Sequence, residues 1–303
     1  MKISVVIPSK DSPTLLDSLS SLAVSAARDP SISLEVLVVD SSATPPAIDR
    51  HLSDRLSLTL ISKDLSRLEA RATGIEAACG DVLLNLDSDQ TVHPDLLPGL
   101  ARSTAASVVI PELPPGSDRW TSLVRRANQR TLSLFRRRPS VDIPVIPRLY
   151  RRQPLMNAVR ALREDASRGA GCRLPTRHED TIRFAYFLRV NQWRESECVG
   201  FVDVPIYHAV PPLTEVGRKS YHYGRDLGRE SRRVSQGELT LDPTIWRMVY
   251  RVDYSRILRY WDPDLGPDWE GLVYDLFRTC FYGAGIMSAY LWGLKPFRRV
   301  SRS

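Results

Sequence analysis

The chain has 303 residues, 43% hydrophobic and 25% charged, a composition that suits a folded globular protein and excludes a disordered one. Its formal charge is +7, and the basic residues are mostly arginine. Its four cysteines (Cys79, Cys172, Cys198, Cys280) are scattered, with no Cys-x-x-Cys pair. That excludes a zinc ribbon or a disulfide framework and predicts a reducing compartment.

Ile3 to Ile7, ended by Pro8, reads as a buried strand and is too short for a signal-peptide core. Ser12 reads as an N-cap with Pro13 at the first helical position. Leu15, Leu19, Leu22, Ala23 and Ala26 follow at helical spacing. Leu34 to Val39 is a second strand, ending in Asp40-Ser41-Ser42, and Leu58 to Ile61 a third. A helix with Leu68, Ala72, Ile75 and Cys79 on one face is expected to close with Gly80 as its C′ residue. The apolar run Val82 to Leu86 then delivers Asp87-Ser88-Asp89, and Val108 to Ile110 is a further strand. This alternation predicts an α/β fold, a mostly parallel central sheet with helices on both faces. No Gly-x-Gly-x-x-Gly follows the first strand, which argues against a dinucleotide-binding domain.

Residues 113–152 are rich in proline and arginine and read as a helix plus a long excursion. A helix over Pro154 to Ala166 and a glycine-containing loop come next. His178-Glu179-Asp180 then opens a helix running to Leu188. A strand over Cys198 to Val204 leads to Pro205-Ile206-Tyr207-His208. The rest, from about 213 to 303, reads as helical, with aromatic residues Trp246, Tyr250, Tyr254, Tyr260 and Trp261. Its longest uncharged stretch, Thr279 to Leu294, is 16 residues, shorter than the roughly 20 of a membrane-spanning helix.

Asp87 and Asp89 stand at the carboxyl end of a buried strand, where open α/β sheets bind ligands. Two acids there repel unless a cation lies between them, and a divalent metal carrying a diphosphate is the natural partner. An Asp-x-Asp alone also fits a solvated turn. The segments SVVIPSKDS, VLVVDSS, LEARATGIEAACGDVLLNLDSD, HEDTIRFAYFLR and VPIYHAVP, in that order, resemble the family 2 glycosyltransferases of the GT-A fold from residue 3 to about residue 225.

The resemblance implies metal-dependent, inverting transfer of a sugar from a nucleoside diphosphate sugar, of UDP or GDP type, to a hydroxyl acceptor. It puts Pro8, Ser9 and Asp11 in the loop lining the nucleotide pocket, and Asp40 where an acid meets the base. The family's Asp-Asp-Gly-Ser is Val39-Asp40-Ser41-Ser42 here. Arg71 matches an arginine that contacts the nucleotide. Asp87, with Ser88 beside it, is expected at the ribose or a metal-bound water. Asp89 is expected to hold Mn²⁺ or Mg²⁺, with His208 completing the shell. Glu179-Asp180 matches the family's Glu-Asp pair, with Asp180 as general base and Glu179 binding or orienting the acceptor. Lys219 and Arg225 are expected on a flexible basic loop over the diphosphate.

The arginines between 125 and 152 carry no nucleic-acid recognition motif, so nucleic acid is not expected as a partner. They read instead as a basic face toward an anionic membrane surface, supported by Phe277, Phe281, Tyr282, Tyr290 and Trp292 with Lys295, Arg298 and Arg299. The expected organisation is a catalytic domain over 1–228, with a nucleotide-sugar half (1–112) and an acceptor half (113–228). A helical C-terminal extension over 229–303 would follow. The expected location is cytoplasmic, peripheral to the inner face of the membrane, with an acceptor that is lipid-linked or a glycan. Two alternatives stay open: a non-catalytic binding relative, and a sugar-1-phosphate nucleotidyltransferase. The latter lacks its glycine-rich, arginine-bearing phosphate loop here.

Overall fold

The computed structural model describes residues 1–140, 145–167, 179–235, 260–262 and 266–292. Cys172, His178, Trp246, Tyr250, Tyr254, Lys295, Arg298 and Arg299 lie outside the described residues.

The chain runs β1 (Lys2–Ser9), α1 (Leu15–Ala26), β2 (Ser33–Asp40), α2 (Arg50–Arg55), β3 (Leu58–Ser62), α3 (Arg67–Ala77) and β4 (Val82–Asn85). It continues through β5 (Gln90–Val92), α4 (Leu96–Ala101), β6 (Ser107–Val109), β7 (Glu112–Leu113) and α5 (Arg119–Arg137). Next come β8 (Leu149–Arg151), α6 (Arg152–Ser167), α7 (Glu179–Val190), α8 (Glu195–Cys198), β9 (Val199–Phe201) and β10 (Ile206–His208). The described chain closes with α9 (Leu213–Ser235), β11 (Trp261–Asp262), β12 (Gly266–Pro267) and α10 (Trp269–Trp292).

The main sheet has the order β3-β2-β1-β4-β8-β6-β9. β1 to β4 are parallel, β8 is antiparallel to β4 and β6, and β9 is parallel to β6. Alternation within the strands explains the helices on both faces. Ile3, Val5 and Ile7 pack with Val36, Val38 and Leu84 beneath Leu15, Leu19 and Leu22 of α1. Val6, Leu37 and Leu83 point the other way, toward Ala72 and Ile75 of α3 and the apolar faces of α6 and α7. Ser9 pairs with Asp40 and Asp40 with Ser62, so the polar residues ending β1, β2 and β3 share one sheet edge.

Four local expectations need correction. α1 starts at Leu15 rather than at Pro13, and its N-cap residue Thr14 makes no side-chain cap bond. The hydroxyls near its start are engaged elsewhere, as described below. α3 opens with a Ser66–Glu69 capping box, but it ends on Ala78 in an extended conformation, so Gly80 is not its C′ residue. Gly80 is needed for space, because a Cβ there would sit 2.6 Å from the Ser4 backbone nitrogen. The strand expected over Cys198–Val204 is confined to Val199–Phe201, because Glu195–Cys198 forms a helical turn. The expected basic loop around Lys219 and Arg225 is the interior of α9.

α9 runs through residue 228, where the extension was expected to begin, and packs against α10. A Cβ on Gly224 would lie 1.9 Å from the Tyr282 carbonyl oxygen, and one on Gly285 would lie 2.0 Å from that of Tyr221. The two helices therefore touch backbone to backbone. α10 is tied to α5 through Glu270, which accepts from Arg119 (2.9 Å) and Arg126 (2.6 Å). The Trp120 and Tyr274 rings also meet edge to face at 5.3 Å.

Candidate active site

The edge formed by the ends of β1 and β2 opens into a cavity of about 230 Å³ lined by Ser9, Asp11, Ser12, Asp40, Ser42 and Thr44. Asp11 has a φ of 48°, a left-handed conformation that aspartate tolerates better than most residues. Its backbone N–H donates to Ser42 Oγ at 2.7 Å, and that hydroxyl donates to Asp40 Oδ1 at 2.8 Å. The Ser42 N–H donates to Asp40 Oδ2 at 3.2 Å. Asp40 is thus wholly buried yet lines the cavity, with Ser42 standing where the family pattern has its serine. Pro8 lies beneath, beside Val39 in the sheet, and is buried.

The Asp87-Ser88-Asp89 turn is anchored through its middle residue. The Ser88 carbonyl oxygen accepts from Ser12 Oγ at 3.2 Å, Thr14 Oγ1 at 3.1 Å and Ser18 Oγ at 3.0 Å. The hydroxyls around the start of α1 therefore fix the acid turn rather than cap the helix. The two acids then part company. Asp87 is buried and turns into the protein, whereas the Asp89 side chain is 53% exposed.

Asp87 belongs to a network of four carboxylates and four guanidinium groups. Its Oδ1 lies 2.5 Å from Arg67 and 2.6 Å from Arg71, and its Oδ2 lies 3.6 Å from Arg148. Arg67 and Arg71 also face Glu179, at 2.9 and 3.5 Å. Asp180 is met by Arg183 at 2.5 Å, Arg148 at 3.4 Å and Arg71 at 3.8 Å. Arg148 forks onto Glu112 Oε1 through Nη2 at 2.6 Å and Nε at 2.7 Å. Gln90, fully buried, accepts the Asp87 backbone N–H at 3.0 Å. The charge of Asp87 is therefore balanced by arginines.

The adjacent acids Glu179 and Asp180 open α7 but differ in state. Against the cost of burial, Arg71, Arg183 and Arg148 hold Asp180 far below the ordinary carboxylate range. Burial raises Glu179; the charge of Asp180 adds to this, and together they outweigh the pull of Arg71 and Arg67. Despite those nearby cations, neither Glu179 oxygen has a hydrogen-bond partner of good geometry among the described residues.

Asp89 Oδ2 and His208 Nε2 meet at 3.1 Å. β10 brings them together, since His208 pairs in register with Gln90 next to Asp89. Their hydrogen bond lowers Asp89 and raises His208. Among the described residues no group of three His, Cys, Asp or Glu side chains could hold a metal ion. One carboxylate and one imidazole, both half-exposed, nevertheless suit Mn²⁺ or Mg²⁺ bound jointly with substrate phosphate oxygens and water.

A second cavity, of about 260 Å³, starts at His208 and Glu112 and extends between α5, α9 and α10. Lys219 lines it, while Arg225 lines neither cavity and keeps its Nε buried within α9. Residue by residue, the structure gathers Ser9, Asp11 and Asp40 in one cleft, Asp89 with His208 beside the other, and Arg71, Asp87, Glu179 and Asp180 in the network. It does not join Asp87 to Asp89 and His208 in a three-ligand group. Sequence reasoning missed Arg67, Glu112, Arg183 and Gln90 and misplaced Arg148. Arg67 was findable one turn before Arg71, and Arg183 three residues after Asp180.

The arginine-rich stretch divides: Arg126, Arg136, Arg137 and Arg138 are exposed, whereas others are engaged within the protein. Arg148 is buried in the network, and Arg136 pairs with Asp203 at 2.6 Å. Arg125 donates to the carbonyls of Pro114 and Gly116, Arg151 to that of Ser103 and Arg152 to that of Ala78.

The sequence model of the family described as Glycosyl transferase family 2 matches residues 4–157. An N-acetylglucosaminyltransferase of Neorhizobium galegae is 32% identical over 103 residues, 31% of this chain and 23% of that protein. One from Mesorhizobium japonicum is 34% identical over 107 residues, 33% of this chain and 24% of that protein. The matched region thus spans about a quarter of each curated relative. Among solved structures, the mannosyltransferase PcManGT from Pyrobaculum calidifontis, in complex with GDP-Man and Mn²⁺, superposes with a TM-score of 0.52 at 15% identity. That superposition covers 97% of this chain and 88% of the other, a likeness of fold.

Proposed function

The chain belongs to glycosyl transferase family 2 and has the GT-A fold, and from that premise we propose that it moves a sugar from a nucleoside diphosphate sugar to a hydroxyl acceptor. The observation that carries this reading is the meeting of Asp89 and His208 at 3.1 Å, beside the strand ends that also present Ser9, Asp11 and Asp40. A half-exposed acid and imidazole at that edge suit a cation bound with a diphosphate.

In this reading the cleft of Ser9, Asp11 and Asp40 takes the nucleoside. Asp89 and His208 hold Mn²⁺ or Mg²⁺, which when bound supplies positive charge to the leaving diphosphate. Arg71, itself fully buried, acts from beneath by fixing Asp87 and with it the turn that carries Asp89. The acceptor hydroxyl oxygen bonds to the anomeric carbon, and the bond from that carbon to the phosphate oxygen breaks. Its electron pair leaves on the nucleoside diphosphate, and the hydroxyl proton passes to Asp180. Three guanidinium groups keep Asp180 ionised at neutral pH and also weaken it as a base, so it takes the proton only as the acceptor oxygen bonds to the anomeric carbon and that proton becomes acidic. Glu179, deeper by its lower exposure, orients this carboxylate and the acceptor.

The catalytic unit of this reading includes residues 1–228 and α10, since α9 crosses residue 228 and packs on α10, and the outer face of α10 is the part that meets an anionic membrane surface. Val273, Leu276, Met287 and Tyr290 form an exposed apolar stripe along α10. No acidic residue follows Asp275, while Arg278, Lys295, Arg298, Arg299 and Arg302 do. An apolar stripe with one sign of charge suits a bilayer bearing negative headgroups. Among the described residues no helix is long and apolar enough to cross a membrane.

The test is a thermal-shift screen of UDP, GDP and their sugars with and without Mn²⁺, followed by nucleotide-release assays on the stabilising donor. Stabilisation that requires Mn²⁺ and disappears in Asp89→Ala supports the reading. Donor turnover that survives Asp89→Ala and Asp180→Asn rejects the mechanism.

A further inference from the structure

The cavity beside His208 has walls of a kind that says what belongs in it. Val124 of α5, Val210 and Pro211 of the β10–α9 link, and Val216 of α9 give it an apolar lining. Glycan sites need many hydrogen-bonding groups aimed at ring hydroxyls. Here the one amide side chain in the lining, Asn128, already donates to the Glu112 carbonyl at 3.1 Å. At about 260 Å³ the cavity is smaller than the roughly 300–1,000 Å³ of drug-sized sites, which suits part of a carbon chain rather than a row of sugar rings.

Two cations line the same cavity. Lys219 comes from α9 and Arg278 from α10. Their present partners are neighbours on their own helices, Glu215 at 3.2 Å and Asp275 at 3.7 Å. Such half-exposed pairs contribute at most about 1 kcal/mol, so both cations remain available to an anionic ligand. The opposite end is His208, half of the proposed cation site. α10, which supplies Tyr274 and Arg278 to the wall, also carries the exposed apolar stripe on its outer side.

Resting on the glycosyl-transfer reading, we propose that this cavity is the acceptor site and that the acceptor is an anionic amphiphile. Its carbon chain lies against Val124, Val210 and Val216. Its phosphate-type group faces Lys219 and Arg278, and its hydroxyl points toward His208 and the donor.

Four probes separate the parts of this ligand in a nucleotide-release assay with the full chain, Mn²⁺ and UDP-GlcNAc or GDP-mannose. Lysophosphatidylglycerol has chain, anion and hydroxyls; monoacylglycerol lacks the anion; glycerol phosphate lacks the chain; maltotriose is a glycan. The expected result is release stimulated about tenfold or more by lysophosphatidylglycerol, less by monoacylglycerol, and not by the other two. Val216→Trp, which fills the cavity, abolishes the stimulation while Mn²⁺ with nucleotide still raises its Tm as in the wild type. Arg278→Gln raises KM for lysophosphatidylglycerol and leaves that for monoacylglycerol unchanged. Stimulation by maltotriose, or none by either chain-bearing probe while the donor binds, overturns the proposal and leaves the donor site intact. No Mn²⁺-dependent donor binding at all overturns both.

Discussion

Arg71 donates from Nη2 to Asp87 Oδ1 at 2.6 Å while having no exposed surface of its own. A second bond, to the Leu86 carbonyl at 3.3 Å, ties the same guanidinium to the end of the strand that carries the acid. Removing one member of a buried ion pair strands the other and costs roughly 3–5 kcal/mol. Asp87 keeps Arg67 and Arg148, so Arg71→Ala is expected at the lower end, about 3 kcal/mol by urea denaturation. Arg71→Lys keeps the charge but not the fork, and should lie between it and the wild type.

Glu179 and Asp180 should respond in opposite senses to losing their charge. Asp180 is held low, so its contribution to stability is present above the unfolded value of about 3.9 and is lost as pH falls through its folded value. Asp180→Asn should therefore destabilise at pH 7.5, and the difference from wild type should shrink in acid. Glu179 is raised, so its contribution is fully present below about 4.3 and is lost as pH rises through its folded value. Glu179→Gln should match or exceed the wild-type Tm at pH 7.5, and that advantage should fade on acidification. A Glu179→Gln protein markedly weaker at pH 7.5 would mean that the bare carboxylate is better satisfied than its geometry indicates.

His208→Ala should leave the fold nearly unchanged, because its side chain and that of Asp89 are 40% and 53% exposed. Donor at a hundred times its Kd stabilises a protein by about 2.7 kcal/mol. In His208→Ala the Mn²⁺-dependent part of that gain should largely vanish, read as a Tm shift with and without EDTA. An undiminished shift would remove His208 from the cation site.

The described cysteines should divide by reactivity. Burial pushes the Cys198 thiol up to about 11, whereas Cys79 and Cys280 are exposed. Brief alkylation of the native protein at pH 8, mapped by peptide mass, should label Cys79 and Cys280 and spare Cys198 until denaturant is added. Rapid native labelling of Cys198 would show that the 195–201 segment opens readily.

Thr14→Val and Ser18→Ala each remove one hydroxyl from the Ser88 carbonyl, and each should cost about 1 kcal/mol. If the anchoring sets the aim of Asp89, the double variant should lose kcat more than donor affinity. Equal loss of stability with kinetics untouched would make the hydroxyls merely structural.

The parallel core was legible because alternation and strand-end polarity are local signals. Val5 and Val6 point to opposite faces, as their neighbours imply, Asp40 ends β2, and Asp87 follows the last residue of β4 by two. The network was not legible, because its members meet only through tertiary structure. Arg148 stands in a run of arginines that looks like solvated surface, yet an antiparallel strand inserts it beside Glu112 and Asp180. Lys219 and Arg225 misled for a different reason. The residues from about 213 onward read as helical, as α9 is, and the loop was what the resemblance implied; Gly224 lets α9 touch α10.

Four carboxylates facing four guanidinium groups balance in formal charge, so the formal +7 of the chain resides outside this buried network. Salt thereby acts on two populations of charge differently. At 0.15 M the Debye length is about 8 Å, enough to mute exposed arginines and lysines but not a buried network. Ionic strength is therefore a dial for encounter with anions at the surface, one that turns without disturbing the buried network.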